Sequence, residues 1–392
     1  MVNRRSILKS GLATIGGMAL APHLSQGAFA GASFTVDSKN RLYYSPLVRE
    51  YFLDERPNVT AMTARLNANE NPYGPPESTK KAVAEAVSGG NRYSWKELNN
   101  LVGKIAKKEG VTEKHIMMGP GSSDLLEKFA IVLFANGGNV VSADPTYMSL
   151  IRVAEATGAT WKAIPCKSDW SHDLKAMEAA IDKDTKLVYI CNPNNPVGSI
   201  TAGKDLLDFC SRVSEKVPIF VDEAYLELAE GTGTESMVSL LAKNKNVIIA
   251  RTFSKIMGMA GLRVGYAVAL PSTLEKIEKI TRGGMGISHT SVLGAIASME
   301  DKEFQETTKK LNTECKEYLY KNLKKMNYSY IPSYTNFVIF PVNVPGKEFL
   351  SKMTSKGIMV RAFDIQKKPW CRVSMGTMAE MELFVKALGE IS

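Results

Sequence analysis

Cysteine and histidine are scarce in this 392-residue chain, and both are dispersed. The five cysteines, Cys166, Cys191, Cys210, Cys315 and Cys371, are odd in number and show no CxxC spacing. That gives no sign of a disulfide framework and points to buried thiols for most of them. Histidines occur only at 23, 115, 172 and 289, too scattered for a ligand cluster, so no metal site is expected. The chain also lacks any block of lysine and arginine and any basic run interleaved with aromatics. Neither nucleic acid nor a membrane surface is therefore an expected partner. Past residue 30 no stretch is apolar and long enough to cross a bilayer.

What remains is the composition of a globular chain, 44% hydrophobic and 23% charged, long enough for two packed domains. The formal charge is +9, but Arg4, Arg5 and Lys9 supply three of those charges within a segment free of acids. Residues 1–30 read as an export signal with a basic start, an apolar stretch from Gly11 to Leu24, and Ala28-Phe29-Ala30 as an A-x-A cleavage site. Asn3-Arg4-Arg5-Ser6-Ile7-Leu8-Lys9 resembles the twin-arginine motif, which implies a periplasmic or otherwise exported protein. An uncleaved N-terminal helix is the plainer alternative.

From about residue 100 to 270, short β-rich runs alternate with helical patterns. The runs are His115–Met118, Asn139–Ala143, Thr160–Ile164, Lys186–Cys191, Pro218–Val221, Val247–Ala250 and Val264–Ala269. This is an α/β pattern, and runs such as Ile219-Phe220-Val221 are apolar without alternation, as in parallel strands covered on both faces. Ligands of such sheets lie beyond the carboxyl ends of the strands. The expected organisation is a segment 31–90 that packs with a smaller domain, a large domain over 91–270, and a C-terminal α+β domain over 271–392. That last domain begins with a long helical stretch from Leu274 to about Lys325. Asn67–Pro76, rich in Pro and Asn, reads as a connecting loop.

The densest chemistry lies between two of these runs, in Arg251-Thr252-Phe253-Ser254-Lys255-Ile256-Met257-Gly258-Met259-Ala260-Gly261-Leu262-Arg263. A lone lysine would read as a solvated charge. Lys255 stands with two hydroxyls, an arginine and glycines: its amine can form an imine with an aldehyde, while Thr252, Ser254 and Arg263 can grip a phosphate dianion. Gly119-Pro120-Gly121-Ser122-Ser123-Asp124 follows a strand and opens a helix near Leu125, so its free amides can also bind phosphate.

The lysine segment resembles the cofactor-lysine motif of class I/II aminotransferases, in particular the histidinol-phosphate aminotransferase group. Other motifs follow in that family's order: Leu66-Asn67-Ala68-Asn69-Glu70-Asn71-Pro72-Tyr73-Gly74, Asn91-Arg92-Tyr93, Asp144-Pro145-Thr146-Tyr147, Asn192-Pro193-Asn194-Asn195-Pro196, and Val221-Asp222-Glu223-Ala224-Tyr225. The resemblance spans 66–377. It implies a fold-type I pyridoxal-phosphate-dependent transferase, with a large domain around a mostly parallel sheet, a smaller α+β domain, and pyridoxal 5'-phosphate as cofactor.

The resemblance also implies residue roles. Lys255 would carry the cofactor, and Asp222 would face the pyridine nitrogen and keep it protonated. Asn195 and Tyr225 would bond the phenolic oxygen, and Tyr147 would stack on the ring. Ser122, Ser123, Thr252, Ser254 and Arg263 would hold the phosphate. Tyr93 would reach the phosphate of a second copy, which implies a homodimer. Arg372 would hold the anionic end of the substrate beside Asn336, and Arg361 is read either as a second anion site, for a phosphate or distal carboxylate, or as a surface strand residue.

Two departures from the family pattern stand out, Pro120 in the glycine turn and Ser94-Trp95 after Tyr93. The implied reaction moves an amino group from an anionic amino acid or amino compound to a 2-oxo acid by a ping-pong mechanism. Decarboxylation or elimination on the same cofactor is the alternative, and a dinucleotide oxidoreductase built on Gly119-Pro120-Gly121 is a remoter rival that lacks a third glycine. A non-enzymatic exported binding protein would not require Lys255, Asp222, Tyr225 and Arg263 together. A twin-arginine signal suits an enzyme that loads its cofactor before export. It also argues against histidinol phosphate as substrate, since histidine biosynthesis is cytoplasmic.

Overall fold

The computed structural model describes residues 41–53, 57–281 and 283–391; the proposed signal, 1–30, lies outside them. Three strands come first, β1 (Arg41–Tyr43), β2 (Val48–Tyr51) and β3 (Ala64–Arg65). The large sheet then takes β4 (Ile116–Gly119), β5 (Asn139–Asp144), β6 (Thr160–Pro165), β7 (Thr185–Cys191), β8 (Ile219–Asp222), β9 (Val247–Thr252) and β10 (Gly265–Ala269). Its spatial order is β4-β10-β9-β8-β7-β5-β6. β9, β8, β7, β5 and β6 run parallel, and only β10 is antiparallel to its neighbours β9 and β4.

The unbroken apolar runs follow from burial on both faces. With a period of two, Ile219 and Val221 of β8 enter one core together with Val247 and Ile249 of β9. Phe220, Ile248 and Ala250 enter the other, where Phe220 meets Phe129 edge-to-face at 5.3 Å. The strands end in line, so the loops after β4, β5, β7, β8 and β9 converge on one edge of the sheet.

The smaller domain is an antiparallel sheet in the order β1-β2-β13-β14-β11, made with β11 (Phe337–Pro341), β13 (Arg361–Ile365) and β14 (Lys368–Ser374). A two-stranded parallel pair joins β3 to β12 (Ile358–Met359). Helices Lys302–Lys325, Gly346–Ser355 and Met378–Ile391 cover it with Leu319, Leu323, Phe349, Phe384 and Leu388.

The expected long helical stretch is instead three helices, Pro271–Glu278, His289–Glu300 and Lys302–Lys325. The first two do not belong to the smaller domain. Leu274 and Ile277 enter one core of the large sheet, and Val292, Ala295 and Met299 enter the other. The boundary thus lies near residue 301, some thirty residues later than the sequence suggests. Amphipathic period marks a buried face but not which core buries it, and Gly283, Gly284 and Gly286 interrupt the run. The N-terminal segment is split as well: β1, β2 and β3 join the smaller domain, while helix Glu77–Ala86 packs on His289–Glu300. All five cysteines are free thiols, and no helix among the described residues is long and apolar enough to cross a membrane.

Candidate active site

A cavity of about 750 Å³ opens between the two domains. Its floor is made of the loops after the parallel strands, and its wall of β2, β13 and β14. Nearly every residue singled out from sequence lines it: Ser122, Ser123, Tyr147, Asn195, Asp222, Tyr225, Thr252, Ser254, Lys255, Arg263, Arg361 and Arg372.

At one end of the floor, the helix after β4 begins at Ser122 rather than near Leu125. Its polar first turn, Ser122-Ser123-Asp124, precedes the apolar periodicity and hides the start from a pattern reading. The first-turn amides of a helix have no intrahelical partner, and both serines of this turn line the cavity. Arg263 closes this end, donating to Ala260 O at 2.8 Å, Ser254 Oγ at 3.4 Å and Pro120 O at 3.4 Å. Pro120 therefore serves as an acceptor, and its missing N–H falls before the helix. Gly121 has φ +87°, and a Cβ there would come within 2.1 Å of Arg263 Nη2. Thr252 Oγ1 donates to Ser254 Oγ at 2.9 Å and accepts the Ser254 N–H at 3.1 Å.

In the centre, Asp222 ends β8 and is 3% exposed. It accepts the Ala224 N–H at 3.1 Å and the Tyr189 hydroxyl at 3.4 Å. Burial pushes its carboxyl up to about 6, against those hydrogen bonds and the Lys255 charge. Lys255 follows β9 and its Nζ donates to Asn69 O at 2.9 Å, 5.2 Å from the centre of the Tyr225 ring. Desolvation lowers its amine to about 8. The Tyr225 hydroxyl accepts from Asn69 Nδ2 at 3.1 Å, and the Tyr147 hydroxyl lies 3.1 Å from Ser123 Oγ.

At the wall, Arg372 is 2% exposed and donates to Asn195 Oδ1 at 2.8 Å and Asn67 O at 3.3 Å. Burial, then the Arg361 charge, lowers it to about 10. Asn195 thus meets the arginine of the wall. Arg361 is ion-paired with Glu50.

Two expected residues lie off the cavity. Asn336 donates to Glu70 O at 3.1 Å from a crevice that it shares with Lys255, Asn71 and Tyr73. Tyr93 is 77% exposed and lines a separate depression beside Trp95. Sequence reasoning missed three contributors. Asn69 bonds both Lys255 and Tyr225, holds Ser374, and stood unremarked inside a recognised motif. Tyr189 reads as a core aromatic of β7, and Glu50 belongs to a segment without a motif.

The large parallel sheet, the lysine at the end of β9 and the anion-binding floor define a class of protein. Residues 62–388 match the family model for aminotransferase class I and II, and the chain belongs to that family. It is a fold-type I, pyridoxal-phosphate-dependent aminotransferase. Among its relatives, it is 35% identical to the histidinol-phosphate aminotransferase of Caldicellulosiruptor saccharolyticus over 328 residues, covering 83% of this chain and 91% of that one. It is also 35% identical to histidinol-phosphate aminotransferase 2 of Haemophilus influenzae strain 86-028NP, over 83% of this chain and 89% of that one. The crystal structure of the Sinorhizobium meliloti histidinol-phosphate aminotransferase in complex with pyridoxal-5'-phosphate superposes with a TM-score of 0.78 at 27% identity, over 84% of this chain and 92% of that one.

The floor fits that cofactor. A helix N-terminus, the four hydroxyls of Ser122, Ser123, Thr252 and Ser254, and the Arg263 guanidinium are the groups a phosphate dianion would require, and the Lys255 amine and the buried Asp222 carboxylate line the same cavity.

Proposed function

We propose that Lys255 is the residue that binds the cofactor aldehyde and that the same amine moves the substrate proton. The observation that carries this reading is the placement of Lys255 Nζ, 2.9 Å from Asn69 O, in one cavity with Asp222, Arg263 and Arg372. Ser122, Ser123, Thr252, Ser254 and Arg263 would hold the phosphate, Asp222 the ring nitrogen, and Tyr225 and Asn195 the phenolic edge, with Tyr147 against the ring. When bound, pyridoxal phosphate supplies an aldehyde carbon and a ring that accepts the electron pair left at the substrate Cα.

The protein's own part is positional and acid–base. Arg372 orients the substrate carboxylate by its planar fork. Lys255 Nζ, with its basicity lowered by desolvation, is partly neutral near pH 8 and can take the Cα proton and return it. Asp222, ionised above about pH 6, places a negative charge beneath the cavity. Two half-reactions alternate here, first with an anionic amino donor and then with a 2-oxo acid.

The reading extends to assembly and location. A homodimer is supported by the exposed apolar side chains Val87, Tyr93, Trp95 and Met285 around one depression, from which Tyr93 would reach the partner's phosphate. Export is supported by residues 1–30, and it separates the natural substrate from histidinol phosphate. Sedimentation mass and cell fractionation read these two parts directly.

The decisive experiment is borohydride reduction of the purified protein with pyridoxal phosphate, followed by peptide mass analysis. Label is expected on Lys255, and Lys255→Ala should remain folded by thermal melting yet take no label and turn over no substrate. Label on another lysine, or an active Lys255→Ala, overturns the assignment.

A further inference from the structure

The two arginines of the wall are not equivalent. Arg361 and Arg372 are cross-strand partners on β13 and β14, and both line the cavity. Two like charges on one rung disfavour the sheet unless a counter-charge intervenes. Glu50 intervenes. It lies on β2, the strand on the other side of β13, and its side chain is 5% exposed. Its Oε1 accepts from both Nε and Nη2 of Arg361. Arg372, by contrast, donates only to the neutral oxygens of Asn195 and Asn67, and its Nε is buried without a hydrogen-bond partner.

Among the described residues that line the cavity, the cations are Lys255, Arg263, Arg361 and Arg372. The first two belong to the floor. Resting on the reading of this cavity as the substrate site, we infer that Glu50 sets specificity: by engaging Arg361 it leaves Arg372 as the single uncompensated guanidinium of the wall. The enzyme therefore takes amino donors with one carboxylate and a neutral or cationic side chain, in preference to donors with a second carboxylate or a phosphate. A second anion would have to displace Glu50 from Arg361 or share space with its carboxylate, and both are unfavourable in a partly desolvated cavity. A side chain with N–H donors meets no such obstacle and can share Glu50 with Arg361. Glu70, which also lines the cavity, is ion-paired with Arg65 at 3.7 Å and adds no further positive charge.

The test compares succinate and butyrate, a dicarboxylate and a monocarboxylate of similar length, by calorimetric titration of the cofactor-loaded protein. Wild type is expected to bind butyrate at least as tightly as succinate. Glu50→Gln should move the affinity ratio toward succinate by about tenfold or more, because it frees one guanidinium charge. Glu50→Asp, which keeps the charge, should retain the wild-type order and serves if Glu50→Gln fails to fold. The ratio of kcat/KM for L-aspartate over L-leucine should move in the same direction. A wild type that already favours succinate, or a ratio unchanged in Glu50→Gln, overturns the inference. Calorimetry reads anion binding whether or not Lys255 carries the cofactor, so failure of borohydride labelling is distinguishable from failure of the Glu50 assignment.

Discussion

The floor and the wall of the cavity hold their charges by different means. On the floor, several polar side chains are supported by neighbours close in sequence, Asp222 by the Ala224 N–H, Ser254 by Thr252 and Arg263 by Ala260 O, while Lys255 is held from afar by Asn69 O. On the wall, Glu50 and Arg361 are 311 residues apart, and Arg372 finds Asn195 across 177 residues. Much of the floor is local chemistry displayed by a scaffold, with Asn69 as its one long-range support for Lys255 and Tyr225, whereas the wall exists only once the two ends of the chain are in one sheet. Substitutions on the floor should therefore impair the chemical step, and substitutions on the wall should redistribute binding among substrates.

The sharpest test of that contrast is Asp222→Asn. Loss of the buried charge should lower kcat on the order of a hundred- to a thousandfold while KM for the donor changes little. Steady-state kinetics on the cofactor-loaded variant check it, and a change confined to KM would erase the contrast. Next in size, Arg372→Lys replaces a planar fork by a point charge and should lower kcat/KM about ten- to a hundredfold, chiefly through KM. A fall in kcat alone would move Arg372 to the floor in function.

The smallest effect concerns pH. With the Lys255 amine at about 8, its neutral, nucleophilic fraction rises as pH rises through that value. The rate of cofactor uptake, followed by absorbance on cofactor-free protein, should therefore increase about tenfold between pH 7 and pH 9. A flat profile would mean that the amine is already neutral at pH 7 and that desolvation acts more strongly than assigned.

Much of the floor was legible beforehand. The seven runs of the large sheet match the observed strands within two residues at either end; all but the partly exposed edge strand β6 are largely buried, and burial on both faces leaves uninterrupted apolar stretches. Polar residues just beyond such runs can only be at the edge of the sheet, which brought Lys255, Asp222 and Tyr225 forward. The helix start at Ser122 was misjudged because its first turn is polar. The membership of residues 271–300 was misjudged because a helix advertises a buried face without naming its partner. Asn69 was present in a recognised motif, but its two bonds to Lys255 and Tyr225 depend on a loop that crosses from the smaller domain, and no local pattern announces such a crossing.

By itself the sequence determined the strand runs, the order of the cofactor-side motifs and the lysine between β9 and β10, since each is written within a few residues by hydrophobic period, glycine and charge. Only the tertiary structure decided that Arg361 is engaged by Glu50 and that Arg372 is supported by Asn195. Strand pairing across three hundred residues has no local signature: the register of β2 on β13 follows from the packing of whole faces, and with it the charge that the substrate meets.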